Sequence, residues 1–163
     1  MDDSCVLHEA CRDRDIGQIK ALLNANPDLV FSRDAFGWTA LHWAAEAGAK
    51  DVLALLLANR PEAVHVQDGD YGAAPLHYAA GRNRKEVAEF LLALGAHVNI
   101  GDKGRSTPLH YAARWGGTAV VGLLLAHKAE VNARDSEGCT PLHYAATGND
   151  EVVELLRQHG GHE

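Results

Sequence analysis

The chain has 163 residues, 23% of them charged and 6% aromatic, a length that fits one ordinary domain and excludes a long multidomain enzyme. Its 47% apolar content excludes a disordered chain, and the 27 alanines in it predict a core made by close helix approach rather than bulky side chains. A formal charge of −7 argues against general adhesion to nucleic acid or anionic lipid, and the longest apolar run, Ala119 to Ala126, falls far short of a membrane span.

The N-terminal Met1-Asp2-Asp3-Ser4 has no basic leader. Val6-Leu7-His8-Glu9-Ala10 is a weak first copy of a motif that then recurs. The strong copies are Thr39-Ala40-Leu41-His42, Ala74-Pro75-Leu76-His77, Thr107-Pro108-Leu109-His110 and Thr140-Pro141-Leu142-His143. Their histidines are 35, 33 and 33 residues apart, and His8 lies 34 before His42. After each strong copy come one variable residue, Ala-Ala, a short polar link and a Val/Leu-rich segment such as Val52 to Leu57. The first four units close on Asp34, Asp68, Asp102 and Asp135. Thr is a good N-cap, and Pro at the next position lacks an N–H that the first helical turn leaves unbonded. Thr-Pro-Leu-His therefore predicts a helix start, and each unit a short helical hairpin. Helices of about ten residues are marginal alone, so each pair must be buried between its neighbours.

The period and the tetrapeptide closely resemble the ankyrin repeat over the whole chain. The resemblance implies an all-α solenoid of stacked helix-turn-helix units with β-hairpin-like finger loops, in one domain spanning 1–163. The units are expected at 4–34, 35–68, 69–102, 103–135 and 136–163. Units one and five read as caps: Gln18, Lys20 and Ala21 interrupt the apolar pattern of the first outer helix, and Arg157 replaces a leucine in the last. The stack is thus expected to begin and end within this chain. Five departures from the family pattern stand out. Unit three has one extra finger residue in Asp68-Gly69-Asp70-Tyr71-Gly72-Ala73, and Arg105 stands where the turn glycine belongs. Unit five is one residue short in Thr147-Gly148-Asn149-Asp150, while Ala40 replaces Pro and Ala74 replaces Thr, so inner helices two and three each lose a capping device.

No catalytic constellation is found. His8-Glu9 lacks a second histidine at position 12, which is Arg, and no Cys-x-x-Cys, phosphate loop or nucleophile elbow occurs. His42, His77, His110 and His143 repeat one per unit, about 10 Å apart, too far to share a metal ion. The resemblance implies a structural hydrogen-bonding role for these four. His65, His97, His127 and His159 fall near outer-helix ends or loops. Neither a metal nor a cofactor is expected. Cys5, Cys11 and Cys139 cannot all pair, which points to a reducing, cytoplasmic compartment, with the nucleus open as well. Asn99 and Asn132 resemble positions that asparagine hydroxylases modify in some ankyrin proteins; a structural turn role is the alternative.

The resemblance also places the binding surface on the finger tips and the outward stripe of the inner helices. Carried over by position, unit two gives Ala35, Phe36, Trp38, Trp43, Glu46 and Ala47, and unit three gives Asp70, Tyr71, Ala73, Tyr78, Gly81 and Arg82. Unit four gives Lys103, Arg105, Ser106, Tyr111, Arg114 and Trp115, and unit five Ser136, Glu137, Cys139, Tyr144 and Thr147. Eight of the ten aromatic residues fall on this surface, and Trp43, Tyr78, Tyr111 and Tyr144 form a register of one per unit. Aromatics and Arg dominate binding hot spots; the alternative for the register is a packing role that shields the groove floor. The segment from Arg82 to Arg114 carries six basic residues against three acidic, leaving −10 for the rest of the chain. The expected function is non-enzymatic protein binding, as scaffold, adaptor or inhibitor, to a partner offering acidic groups. A competing expectation is an anion or oligonucleotide receptor using the same basic aromatic patch, although the net charge makes nucleic acid the weaker case. The protein is expected as a monomer, with self-association through the aromatic groove as a third reading.

Overall fold

The computed structural model describes residues 3–115, 117–145 and 148–163, and within them the protein is all-helical. Five helix pairs follow one another: α1 (Asp3–Asp13) with α2 (Ile16–Ala25), α3 (Ala40–Ala47) with α4 (Lys50–Leu57), α5 (Pro75–Gly81) with α6 (Lys85–Ala93), α7 (Pro108–Trp115) with α8 (Thr118–Ala126), and α9 (Pro141–Ala145) with α10 (Asp150–Gln158). Two 3-10 turns, Pro27–Phe31 and Pro61–His65, follow α2 and α4, each opened by its proline. Odd-numbered helices stack into an inner layer and even-numbered ones into an outer layer, and the main contacts run between neighbouring pairs. No helix is long and apolar enough to cross a membrane among the described residues.

The alanines do what their number predicts. Ala44, Ala45, Ala79, Ala80, Ala112 and Ala113 are buried where consecutive inner helices meet, and their small size lets the backbones approach. The outer helices supply the bulk: Val52, Leu53, Leu56, Val87, Leu91, Val120, Val121 and Leu124 are buried along one continuous core. Gln18, Lys20, Ala21 and Arg157 are exposed. Cys5 is exposed and Cys11 buried, and desolvation pushes the Cys11 thiol up to about 12.

Each finger is a hairpin-like turn rather than a strand, closed by the backbone N–H of its aspartate. Asp34, Asp102 and Asp135 donate their N–H to the carbonyl four residues on, at Trp38, Ser106 and Cys139. In unit three the bond from Asp68 spans five residues to Ala73, the physical form of the extra residue there. Fingers join sideways through Gly69 N–H to Gly37 O, Lys103 N–H to Tyr71 O and Ser136 N–H to Gly104 O. The left-handed turn position is glycine in three fingers, with φ of 72°, 67° and 81° at Gly37, Gly72 and Gly138; in the fourth it is Arg105, at φ 60°. A side chain there is strained, because Cβ approaches the following carbonyl.

Histidines tie consecutive units together. In His42, Nδ1 accepts from the Thr39 N–H at 3.0 Å and lies 2.9 Å from the Thr39 hydroxyl, while Nε2–H donates to Ala73 O in the next finger at 3.0 Å. His110 repeats this with Thr107 and Cys139. His77 bonds Ala74 N–H and Ser106 O, but Ala74 has no hydroxyl to add. An Nδ1 that accepts must be unprotonated, so these rings are neutral. Burial dominates and lowers all three, His42 to about 4. His8 contributes a rung of its own, with Nε2 3.2 Å from Trp38 O. His143 departs from the ladder. It is exposed and packs edge-on against Tyr144, and the Thr140 hydroxyl donates instead to His162 O of the chain's own C-terminal turn.

Candidate interaction groove

The inner helices α3, α5, α7 and α9 and the fingers before them enclose a groove of about 840 Å³. Its aromatic lining is Trp38, Tyr71, Tyr78, Tyr111, Trp115 and Tyr144, with Glu46, Gly81, Arg82, Asp102, Ser106 and Arg114 among the remaining residues. Helical spacing produces this face. Tyr78 and Gly81, and Tyr111, Arg114 and Trp115, recur three and four residues apart on α5 and α7 and so share one side.

The one-per-unit aromatic register is built into the fold by the aspartates that close the units. Trp43 Nε1–H donates to Asp34 at 2.8 Å, Tyr78 OH to Asp68 at 2.8 Å, Tyr111 OH to Asp102 at 3.0 Å and Tyr144 OH to Asp135 at 2.5 Å. The other oxygen of each carboxylate holds its finger. Asp34 Oδ1 accepts from Phe36 and Trp38 N–H, Asp68 Oδ1 from Tyr71 and Gly72, Asp102 Oδ1 from Ser106, and Asp135 Oδ1 from Glu137 and Cys139. Burial alone would raise Asp34, Asp68 and Asp135, but these donors outweigh it and hold all three carboxyls below the ordinary range. Burial, reinforced by the carboxylates, pushes the Tyr78 and Tyr111 phenols up. At Tyr144 the bond to Asp135 is the main cause of the same shift. The phenols therefore remain protonated donors. Each aspartate is at once a turn former, as its position in the sequence predicts, and an anchor for the ring nine or ten residues on.

The rings thus differ in what they can offer. Trp38 lies between Trp43 and Tyr78, with centroids 4.7 and 4.4 Å away, and Trp38 and Tyr78 form the half-buried floor at one end. Tyr71 is 65% exposed on the finger rim and Trp115 58% exposed at the far wall. Three of the aromatic and arginine residues expected on the binding surface stand outside this lining. Trp43 is turned to Asp34 and lies under the Arg12 guanidinium, 5.2 Å from its ring. Phe36 is 66% exposed at its finger tip, and Arg105 occupies the left-handed turn of its own. Thr147 lies outside the described residues.

The basic patch is likewise divided by its partners. Arg82 donates twice to Glu46 Oε1, at 3.0 and 2.6 Å, and Arg84 to the Glu46 carbonyl. Lys103 Nζ bonds the carbonyls of Gly69 and Asp70, so it braces the neighbouring finger. Arg114 lies over the rings of Trp115, at 4.5 Å, and Tyr144, at 5.4 Å. Away from the groove, Asn99 Oδ1 accepts from the Glu130 N–H, and Asn132 bonds Gly160 O and His162 N–H. Both asparagines are bridges between turns. The aspartate–aromatic pairing was within reach of sequence reading, since aspartate precedes its ring by nine, ten, nine and nine residues. The Glu46–Arg82 pair, 36 residues apart, carried no such signal.

The family model for ankyrin repeats (3 copies) matches residues 7–102 and 94–163. Over 87 residues, 52% of the chain, the sequence is 31% identical to a Saccharomyces cerevisiae protein described as a probable 26S proteasome regulatory subunit p28. Over 97 residues, 58% of the chain, it is 33% identical to the Homo sapiens transient receptor potential cation channel subfamily A member 1. The aligned parts span 38% and 9% of those two proteins. With the motif in register through the helix pairs and the model matched at both ends, the chain belongs to the ankyrin-repeat family, an interaction fold that works by binding other proteins.

Proposed function

We propose that the chain binds a partner protein along the concave groove of its second to fifth helix pairs, as an adaptor, scaffold or inhibitor and without catalysis of its own. The observation that carries this reading is the state of the groove's aromatics. Most of the register is fixed by aspartates into a rigid floor, while Tyr71 and Trp115 stand exposed on the rim and wall. Rigid aromatic anchors on a preorganised surface lower the ordering cost of association. A relative described as a regulatory subunit of a multiprotein complex fits the same role. The three free thiols support a reducing, intracellular setting.

The anion or oligonucleotide reading has less support. Arg82 and Lys103 are already bound to Glu46 and to finger carbonyls, which leaves too few cations to follow a phosphate backbone. The test is affinity capture from the source lysate with the wild type and a Gly81→Leu/Trp115→Ala double variant side by side, both shown to be folded by circular dichroism. A set of proteins held by the wild type and lost by the variant is the expected result. Identical capture by both overturns the proposal.

A further inference from the structure

The groove contains an arginine, Arg114, whose charge none of the described residues answers. Arg114 is exposed, forms no salt bridge among the described residues, and has no protein acceptor there for its guanidinium N–H groups. Its contacts are with ring faces, Trp115 at 4.5 Å and Tyr144 at 5.4 Å. Such contacts position a guanidinium and strip part of its water without using its hydrogen-bond donors. Beside it, Gly81 presents bare backbone to the rings of the next unit. A Cβ built there would meet Tyr111 at 3.6 Å and Trp115 at 3.8 Å, ordinary contact distances, so this part of the groove is walled by rings and floored by a helix without a side chain.

Resting on the reading of the groove as a protein-binding site, we propose that Arg114 receives a single carboxylate of the partner, an Asp or Glu side chain, while an adjacent apolar side chain packs over the bare backbone at Gly81 against the exposed Trp115 ring. The planar fork of a guanidinium matches a carboxylate through two parallel N–H···O bonds. The surroundings select against a phosphate. Glu46 and the carboxylates of Asp102 and Asp135 lie on or just behind the groove wall, and the chain as a whole is at −7, so a dianion meets more repulsion than one arginine offsets. Arg82, the other arginine of the lining, already has its charge answered by Glu46.

The test selects displayed random 12-residue peptides on the full chain, discards those that also bind Gly81→Leu, and measures the rest against wild type and Arg114→Gln. Arg114 is exposed, so a thermal melt of Arg114→Gln should match the wild type. The expected peptides carry Asp or Glu beside an apolar residue. Arg114→Gln should weaken them by about tenfold or more, as should amidation of the peptide acid, and the two changes together should cost little more than either alone. Arg114→Lys, which keeps the charge without the fork, should fall between. Peptides that are lost on Gly81→Leu but indifferent to Arg114→Gln overturn the carboxylate site and leave the groove reading intact. A selection yielding no binder sensitive to Gly81→Leu overturns both. Arg114-dependent binding of a twelve-nucleotide oligothymidylate, tighter than any acidic peptide, overturns the assignment in favour of phosphate.

Discussion

Lowering the pH from 7 to 5 should destabilise this protein through its histidine rungs before the finger aspartates Asp34, Asp68 and Asp135 are titrated. The His42 ring is fully buried and neutral, its Nδ1 occupied as an acceptor from Thr39, and burial holds it at about 4 against an ordinary 6.5. The unfolded chain therefore binds a proton in a range where the folded chain does not. Stability from this group is complete above about pH 6.5 and is lost as the pH falls toward 4. For His42 alone the loss at pH 5 relative to pH 7 comes to about 2 kcal/mol. His77 and His110 are lowered for the same reason and add to it. Asp34, Asp68 and Asp135 are held below the ordinary carboxylate range, so their contribution persists through this window and is lost only as the pH falls further, below about 4. Urea unfolding followed by far-ultraviolet circular dichroism at pH 7, 6 and 5 measures the effect, and the midpoint should fall by about 1 M or more. A midpoint unchanged between pH 7 and 5, or a His42 ring that titrates near 6.5 in NMR spectra of the folded protein, would refute the reasoning.

Other changes separate the stabilising parts from the binding parts. Arg105→Gly relieves a left-handed residue and should raise stability by about 1 kcal/mol, read as a higher melting temperature; a lower one contradicts the strain at that turn. Ala74→Thr should restore the hydroxyl that Thr39 and Thr107 place beside their histidines, adding about 1 kcal/mol, with a loss of stability showing that the site has no room for it. Tyr111→Phe removes the bond to Asp102 and should cost about 1–2 kcal/mol while leaving the groove's shape and its binding largely intact. Trp115→Ala should do the opposite, shifting stability by about 0.5 kcal/mol or less and sharply weakening partner binding. Equal effects of the last two on both readouts would remove the distinction between floor and rim.

The architecture was legible because it is periodic. Thr-Pro-Leu-His announces a helix start from local chemistry alone, and its recurrence fixes where one pair ends and the next begins. Pro75, Pro108 and Pro141 each open an inner helix. The extra residue in unit three and the misplaced turn at Arg105 were visible as breaks in that period, and both have a direct backbone form. The site was less legible, because its character is set by contacts between units. Trp43 and Tyr78 look equivalent in sequence, yet Trp43 faces Asp34 and Arg12 outside the groove lining, while Tyr78 faces inward. Arg82 and Arg114 both end up on the groove side, five and four residues after their motif histidines, but Glu46 answers only the first. His143 carries the motif but is exposed and packs edge-on against Tyr144. Stacking order decides such differences, and no single repeat contains that information.

The claim that the concave groove is the contact surface is tested most directly by mapping where a partner touches. A photoreactive phenylalanine analogue placed at Tyr71, on the exposed rim, can be compared with the same analogue at Ala54, exposed on outer helix α4. Irradiated in the source lysate, the Tyr71 variant should form discrete covalent adducts that free wild-type protein suppresses, and the Ala54 variant should form none of the same adducts. Adducts that arise at Ala54 and not at Tyr71 would place the partner on the outer face and contradict the account.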